Sequence, residues 1–160
     1  MKTHLQSNRE LRPLADRIRL QRVAMLTLPV PHQGLQARPM TPIEMDAQGY
    51  IWMAASRASL EKVSFSSHGV PTANLAFSNE ADSTYISITG RLEAVDDVAR
   101  KAEVWKLLDR PWFKGPDDPD YLLLALRPQH VEMWEGPHSV VVRSFALGSL
   151  PQTGAKELSV

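Results

Sequence analysis

The chain contains no cysteine. Disulfides, thiol catalysis and Cys-based metal sites are therefore excluded, and a reducing compartment is expected. An excess of one charge is also missing: Lys+Arg and Asp+Glu both number 18, so the net charge is zero. No global field draws the chain toward nucleic acid, a membrane surface or acidic substrates. No apolar run reaches the ~18 residues that a membrane helix needs. The opening MKTHLQSNRE lacks the apolar stretch of a signal peptide, and we expect a cytoplasmic protein. His4, His32, His68, His130 and His138 show no close or i,i+4 spacing, so no metal site is expected. The acidic PDDPD at 116–120 lacks the ligand rhythm of a calcium loop and reads as a proline-stiffened turn.

What is present suffices for one domain. Of 160 residues, 43% are apolar. Residues 1–22 hold six Lys/Arg against Glu10 and Asp16, a local net of +4 that suits the solvated face of a terminal helix. Leu11, Leu14 and Ile18 give that helix its buried side, and Pro13 suits its first turn. Strands are expected over 22–28, 35–45 and 50–56. Pro39 and Pro42 mark the second as an edge, a bulge or a face turned to a ligand. A short helix is expected over 57–67, then two strands, TANLAFS and TYISITGRLEAV; in the second, Ile86 and Ile88 alternate with Ser87 and Thr89. Asp96 and Asp97 open a helix with Val98, Ala102, Trp105 and Leu108 on one face. YLLLAL and HVEMW form a long strand interrupted near Pro128, SVVVRSFAL forms the last, and 148–160 reads as a flexible tail. This order predicts a mainly β protein: a closed or partly closed barrel of six to seven antiparallel strands with flanking helices, over residues 1–147.

The stretch IWMAASRASLEK ends an apolar strand in four donors, Ser56, Arg57, Ser59 and Lys62. A helix starting there would present free N–H groups and a positive dipole end beside two hydroxyls, a guanidinium and an ammonium. That set suits a phosphate dianion; a well-capped helix with solvated cations is the alternative. Ser-x-x-Lys also occurs in serine acylases, but the rest of that constellation is missing. A hairpin pairing would bring Arg38, in ARPM, near the same strand end.

ARPM, YIWMAASRASLEK, YISITGRLEAVDD and WFKGPDDPDYLLLALRPQHVEMWEG follow one another in a characteristic order. Over roughly residues 10–145 the chain resembles the flavin-binding split barrels related to pyridoxamine 5′-phosphate oxidase, in particular their general stress protein subgroup. The resemblance implies a homodimer with two flavin sites at the subunit interface, holding FMN or FAD. It implies that Arg38, Pro39, Met40 and Thr41 lie along the flavin ring. Arg38, Ser56, Arg57, Ser59 and Lys62 would then grip the phosphate. Trp134 and Arg143, in EMWEGPHSVVVR, resemble the pair that reaches the flavin from the second subunit. The oxidases close with an Arg-x-His pair where this chain has the apolar SVVVR, so pyridoxamine phosphate oxidation is not expected. Related barrels also bind haem or a deazaflavin. The implied activity is redox, through the flavin ring to a small partner such as NAD(P)H. A flavin-binding or sensing protein without turnover, and an apo barrel serving as an interaction module, are the alternatives. No residue is identified as catalytic.

Overall fold

The computed structural model describes residues 1–63, 65, 71–108, 112–136 and 140–147. In chain order its elements are β1 (Lys2–Thr3), α1 (Arg12–Ile18), β2 (Ala24–Val30), β3 (Gly34–Met40), β4 (Pro42–Met45), β5 (Ile51–Ser56), β6 (Thr72–Asn79), β7 (Thr84–Val95), α2 (Val98–Trp105), β8 (Tyr121–Glu135) and β9 (Val140–Ala146). The strands run β1-β4-β5-β8-β7-β6-β2-β3, with β9 added to β8. All pairs are antiparallel except β1 with β4. The protein is mainly β, with two short helices.

β3 ends this path and β4 stands near its other end, yet Thr41 alone separates them in sequence. The sheet must therefore curl until its two ends meet, which makes a barrel. The expected single strand over 35–45 is thus two strands belonging to opposite ends of the sheet. Pro42 withholds a ladder donor at the break.

Alternation fills the interior. Leu26, Leu75, Ile88 and Val131 stand in register across β2, β6, β7 and β8, and all are buried in one cluster. Leu11, Leu14 and Ile18 of α1 join that cluster, as their spacing predicts. A second, smaller core forms outside the barrel, where Ile43, Trp52, Leu123 and Ala125 pack with Val104 of α2.

The helix face differs from the sequence expectation: Val98 is 71% exposed and Val104 is buried. The cause is Arg100. Its guanidinium donates to the buried Glu44 at 2.7 Å and lies 4.2 Å from the Trp52 ring centroid. Residues 100 and 104 share a helix face, so anchoring one turns the other inward. Glu44 also meets His4 Nε2 at 2.6 Å, and Trp52 Nε1 donates to Asp46 Oδ2 at 2.7 Å. One polar cluster thus binds the N-terminal segment, β4, β5 and α2.

The interruption expected near Pro128 is a β-bulge. Thr89 pairs with His130 and Gly90 with Pro128, leaving Gln129 unmatched. Gly90 permits the close approach, because a Cβ there would lie 2.1 Å from the Arg127 carbonyl oxygen. Gly90→Ala is expected to cost about 2–3 kcal/mol, read as a lower urea midpoint at unchanged slope, because backbone must move to admit one methyl.

Candidate functional site

β5 ends at Ser56 and the chain passes into a single 3₁₀ turn, Ala58–Leu60. Leu60 and Val63 are buried with the barrel core, so this turn stoppers one end of the barrel. Within the described residues the helix expected over 57–67 is only this turn.

Its backbone donors are already used. Arg57 N donates to Asp120 O at 2.8 Å and Leu60 N to Arg57 O at 3.1 Å. Ala58 N donates to Asp120 Oδ1 at 3.0 Å and Ser59 N to Ser56 Oγ at 3.4 Å. The Ser56 hydroxyl donates to the same Asp120 oxygen at 3.0 Å. The free N–H groups expected of a helix terminus are therefore absent here, because the Asp120 carboxylate, the Ser56 hydroxyl and two backbone carbonyls take them. Sequence spacing hid this, since Asp120 stands 64 positions from Ser56.

Asp120 and Asp118 are both held below the usual carboxylate range, Asp120 chiefly by the Ala58 N–H and Asp118 chiefly by the Lys114 N–H. Next to them, burial pushes the Tyr121 phenol up to about 12.

What remains for an anion is a set of side chains. Arg38 projects on the same face as Leu26, its pairing partner, and reaches from β3 to the turn, where Nη1 donates to Ser59 O at 2.5 Å. Its buried Nε has no hydrogen-bond partner among the described residues. Arg57 and Lys62, in and just after that turn, are exposed; Arg57 Nε donates to Pro119 O at 3.2 Å. The Ser59 hydroxyl donates to Ser56 O at 2.7 Å. The structure thus brings Arg38, Ser56, Arg57, Ser59 and Lys62 to one end of the barrel. Met40 is buried in the core, Pro39 and Thr41 are exposed, and Thr41 opens onto a neighbouring cavity.

Trp134 and Arg143 stand elsewhere. Trp134 lies on β8 between Tyr85 and Val141, and Arg143 on β9 opposite Met133. Tyr121, the β8 residue that pairs with Ser56, is thirteen positions earlier, about 43 Å of strand contour at ~3.3 Å per residue. Trp134 is half-buried and alternates with the core residue Met133. On the same outer wall Asn74 Nδ2 donates to the hydroxyls of Ser87 and Thr89, at 2.7 and 3.0 Å. His138 and the tail over 148–160 lie outside the described residues. Among those described, no group of three or more His, Asp or Glu is placed to hold a metal, and no helix is long and apolar enough to cross a membrane.

Residues 9–155 match the family model described as pyridoxamine 5′-phosphate oxidase like, and the chain belongs to that family. No curated protein matches it. Among solved structures, it is similar to the general stress FMN/FAD binding protein of Xanthomonas citri: 28% identity, 89% of this chain and 100% of that one, TM-score 0.65. A general stress family protein of Xanthomonas campestris is 29% identical over 87% of this chain and 98% of that one, with a TM-score of 0.62. A protein of Clostridium acetobutylicum related to general stress protein 26 shares the fold at TM-score 0.69, with 16% identity over 88% of this chain and 96% of that one.

Asp118 and Asp120 give the site a pH signature. Their folded pKa values lie below the unfolded value of 3.8, so the stability they add is complete above that value. It is lost as pH falls through the lower folded values. In a ¹³C carboxyl titration both residues should titrate below 3.8. Asp120→Asn should remove one of the two low transitions and loosen amide exchange at Ala58.

Proposed function

We propose that the chain is a flavin-binding protein of the stress-related type, gripping FMN, or the FMN half of FAD, by its phosphate. One observation carries this: Arg38 crosses from β3 to the 56–60 turn with a buried Nε that no atom of the described residues satisfies. Unpaired buried donors are uncommon, and a guanidinium with Arg57 and Lys62 beside it fits a phosphate dianion. The likeness to the Xanthomonas citri FMN/FAD binding protein, at 28% identity, supports the same reading. The cradle works through side-chain cations, since the backbone donors of the turn are already paired within the protein.

Bound flavin supplies hydride or electron transfer, and the protein supplies binding and orientation. Arg38, Arg57, Ser59 and Lys62 would hold the phosphate, and the Pro39–Thr41 backbone would border the ring. We assign the assembly as a homodimer in which Trp134 and Arg143 of the second copy complete the site. Their separation from Ser56 along β8 favours this, as does the half-exposed outer wall with Met25 42% exposed on β2. The activity that fits is a flavin-dependent oxidoreductase acting with a small partner such as NAD(P)H. A second reading, flavin binding without turnover, is favoured by the acid–base groups beside the cradle. Asp118 and Asp120 stay ionised and Tyr121 stays neutral near pH 7.

Fluorescence titration of apo-protein with FMN, FAD and riboflavin tests the proposal. FMN should bind and riboflavin should bind at least tenfold more weakly; equal affinities would show that no phosphate is gripped. Arg38→Gln and Lys62→Gln should each lower FMN affinity about 10- to 100-fold, as loss of a charge-assisted bond does. Binding of none of the three would leave a barrel without a flavin. Reoxidisable reduction of bound flavin by NADH or NADPH separates turnover from binding alone. Sedimentation velocity should give a dimer, and a monomer at flavin-saturating concentration would remove Trp134 and Arg143 from the site.

A further inference from the structure

The phosphate grip is built from cations, and one carboxylate stands among them with no part in it. Asp120 Oδ1 accepts from the Ser56 hydroxyl and from the Ala58 N–H, both at 3.0 Å, and its carbonyl oxygen accepts from the Arg57 N–H at 2.8 Å. One residue further along the same turn, Arg38 Nη1 donates to Ser59 O. The anion and the guanidinium thus hold adjacent residues. Asp120 cannot step aside for a ligand. Its own N–H donates to Asp118 Oδ1 at 2.9 Å, and Asp118 Oδ2 accepts from the Lys114 N–H at 2.8 Å. On its other side Tyr121 is fully buried, pairs with Ser56 in the sheet and packs against Trp105 and Phe113, with ring centroids 5.6 and 5.2 Å away. Donation from the Ala58 N–H and the Ser56 hydroxyl holds the Asp120 carboxyl below the usual carboxylate range, so it is ionised wherever a phosphate monoester is a dianion.

A fixed negative charge beside a phosphate grip opposes a ligand in proportion to the ligand's own charge. Near pH 7 the monoester of FMN carries about two charges and the diester phosphate that FAD would place there about one, while riboflavin carries none. We propose that Asp120 is a specificity-determining residue for the flavin: it holds down the affinity for FMN most, for FAD less and for riboflavin not at all, and so narrows the gap between the two phosphorylated ligands. The proposal rests on the flavin reading. Asp120 then acts on the turn in two opposed ways. Its hydrogen bonds hold the turn in place, while its charge works against what the turn's cations bind. Stability and affinity pull apart at this residue, whereas a residue of purely structural role would lose both together.

Asp120→Asn in the full chain removes the charge and keeps the shape. Titrated with FMN, FAD and riboflavin at low ionic strength, this variant should bind FMN about tenfold and FAD about threefold more tightly than the parent, the second factor being the square root of the first. Riboflavin affinity should not change, the gains should shrink in high salt, and the thermal midpoint should fall. Asp118→Asn should give a smaller gain, because that carboxylate meets the Lys114 and Asp120 N–H groups rather than the turn. If the Asn variant does not fold, Asp120→Ser, a neutral acceptor on a shorter side chain, takes its place with the same graded gain expected. An unchanged or lower FMN affinity in the folded variant would overturn the proposal. So would an equal gain for all three ligands, which would mark a loosened ring site, or a gain as large in Asp118→Asn, which would mark diffuse charge. If the parent prefers FMN to riboflavin and the variant adds nothing, the role of Asp120 falls and the flavin reading stands. If neither parent nor variant distinguishes FMN from riboflavin, the phosphate grip itself falls.

Discussion

The constraint on which the rest depends is the single residue between β3 and β4. Met40 pairs with Ala24 at one end of the sheet path, and Pro42 with Met53 near the other. Only Thr41 joins them, so the ends cannot separate by more than about 7 Å, two Cα–Cα steps. That leash holds the barrel curled and forces a local break in the ladder. Backbone at such a break is unpaired and approachable, while the strands on either side stay rigid. Arg38 stands just before the break, the cavity opens just after it, and both inherit their positions from it. A loop bearing the same residues would have to be ordered on binding, at an entropic cost this arrangement avoids.

The second organising feature is that the protein supplies its own anion. Asp120 satisfies the Ser56 hydroxyl and the Ala58 amide at a turn that would otherwise leave donors unpaired beside the core residue Leu60. This fixes the turn whether or not a ligand is present, so the cradle is preorganised. Glu61 and Asp120 set two carboxylates at the end of the barrel that carries Arg38, Arg57 and Lys62. A phosphate entering here meets a site of small net positive charge, and affinity must come from directed guanidinium contacts more than from field strength.

Sequence legibility followed distance along the chain. The α1 face through Leu11, Leu14 and Ile18, the alternation of Ile86 and Ile88, and the irregularity at Pro128 were readable because period, proline and glycine act locally. The meeting of Arg38 with the 56–60 turn also emerged, though through β3 rather than a simple hairpin. The missing helix after Ser56 did not, because the competing acceptor lies on a distant loop. The rotation of α2 did not either. Its cause is the pairing of Arg100 with Glu44, which is 4% exposed, and nothing near Glu44 in sequence marks it as buried.

These long-range polar contacts divide the labour between two ends of the molecule. The Glu44 cluster joins four segments through buried charge, and it lies under α2 rather than at the cradle. Removing one member would leave Glu44 or Arg100 uncompensated, which is strongly destabilising for a buried pair. At the cradle the cations are at least partly exposed, and loss of one frees little buried charge. Buried charge is therefore concentrated at the Glu44 cluster, and the exposed cations at the 56–62 turn can change with modest structural consequence. A single barrel built this way can keep its closure at Thr41 and its Glu44 cluster while the residues facing a ligand vary.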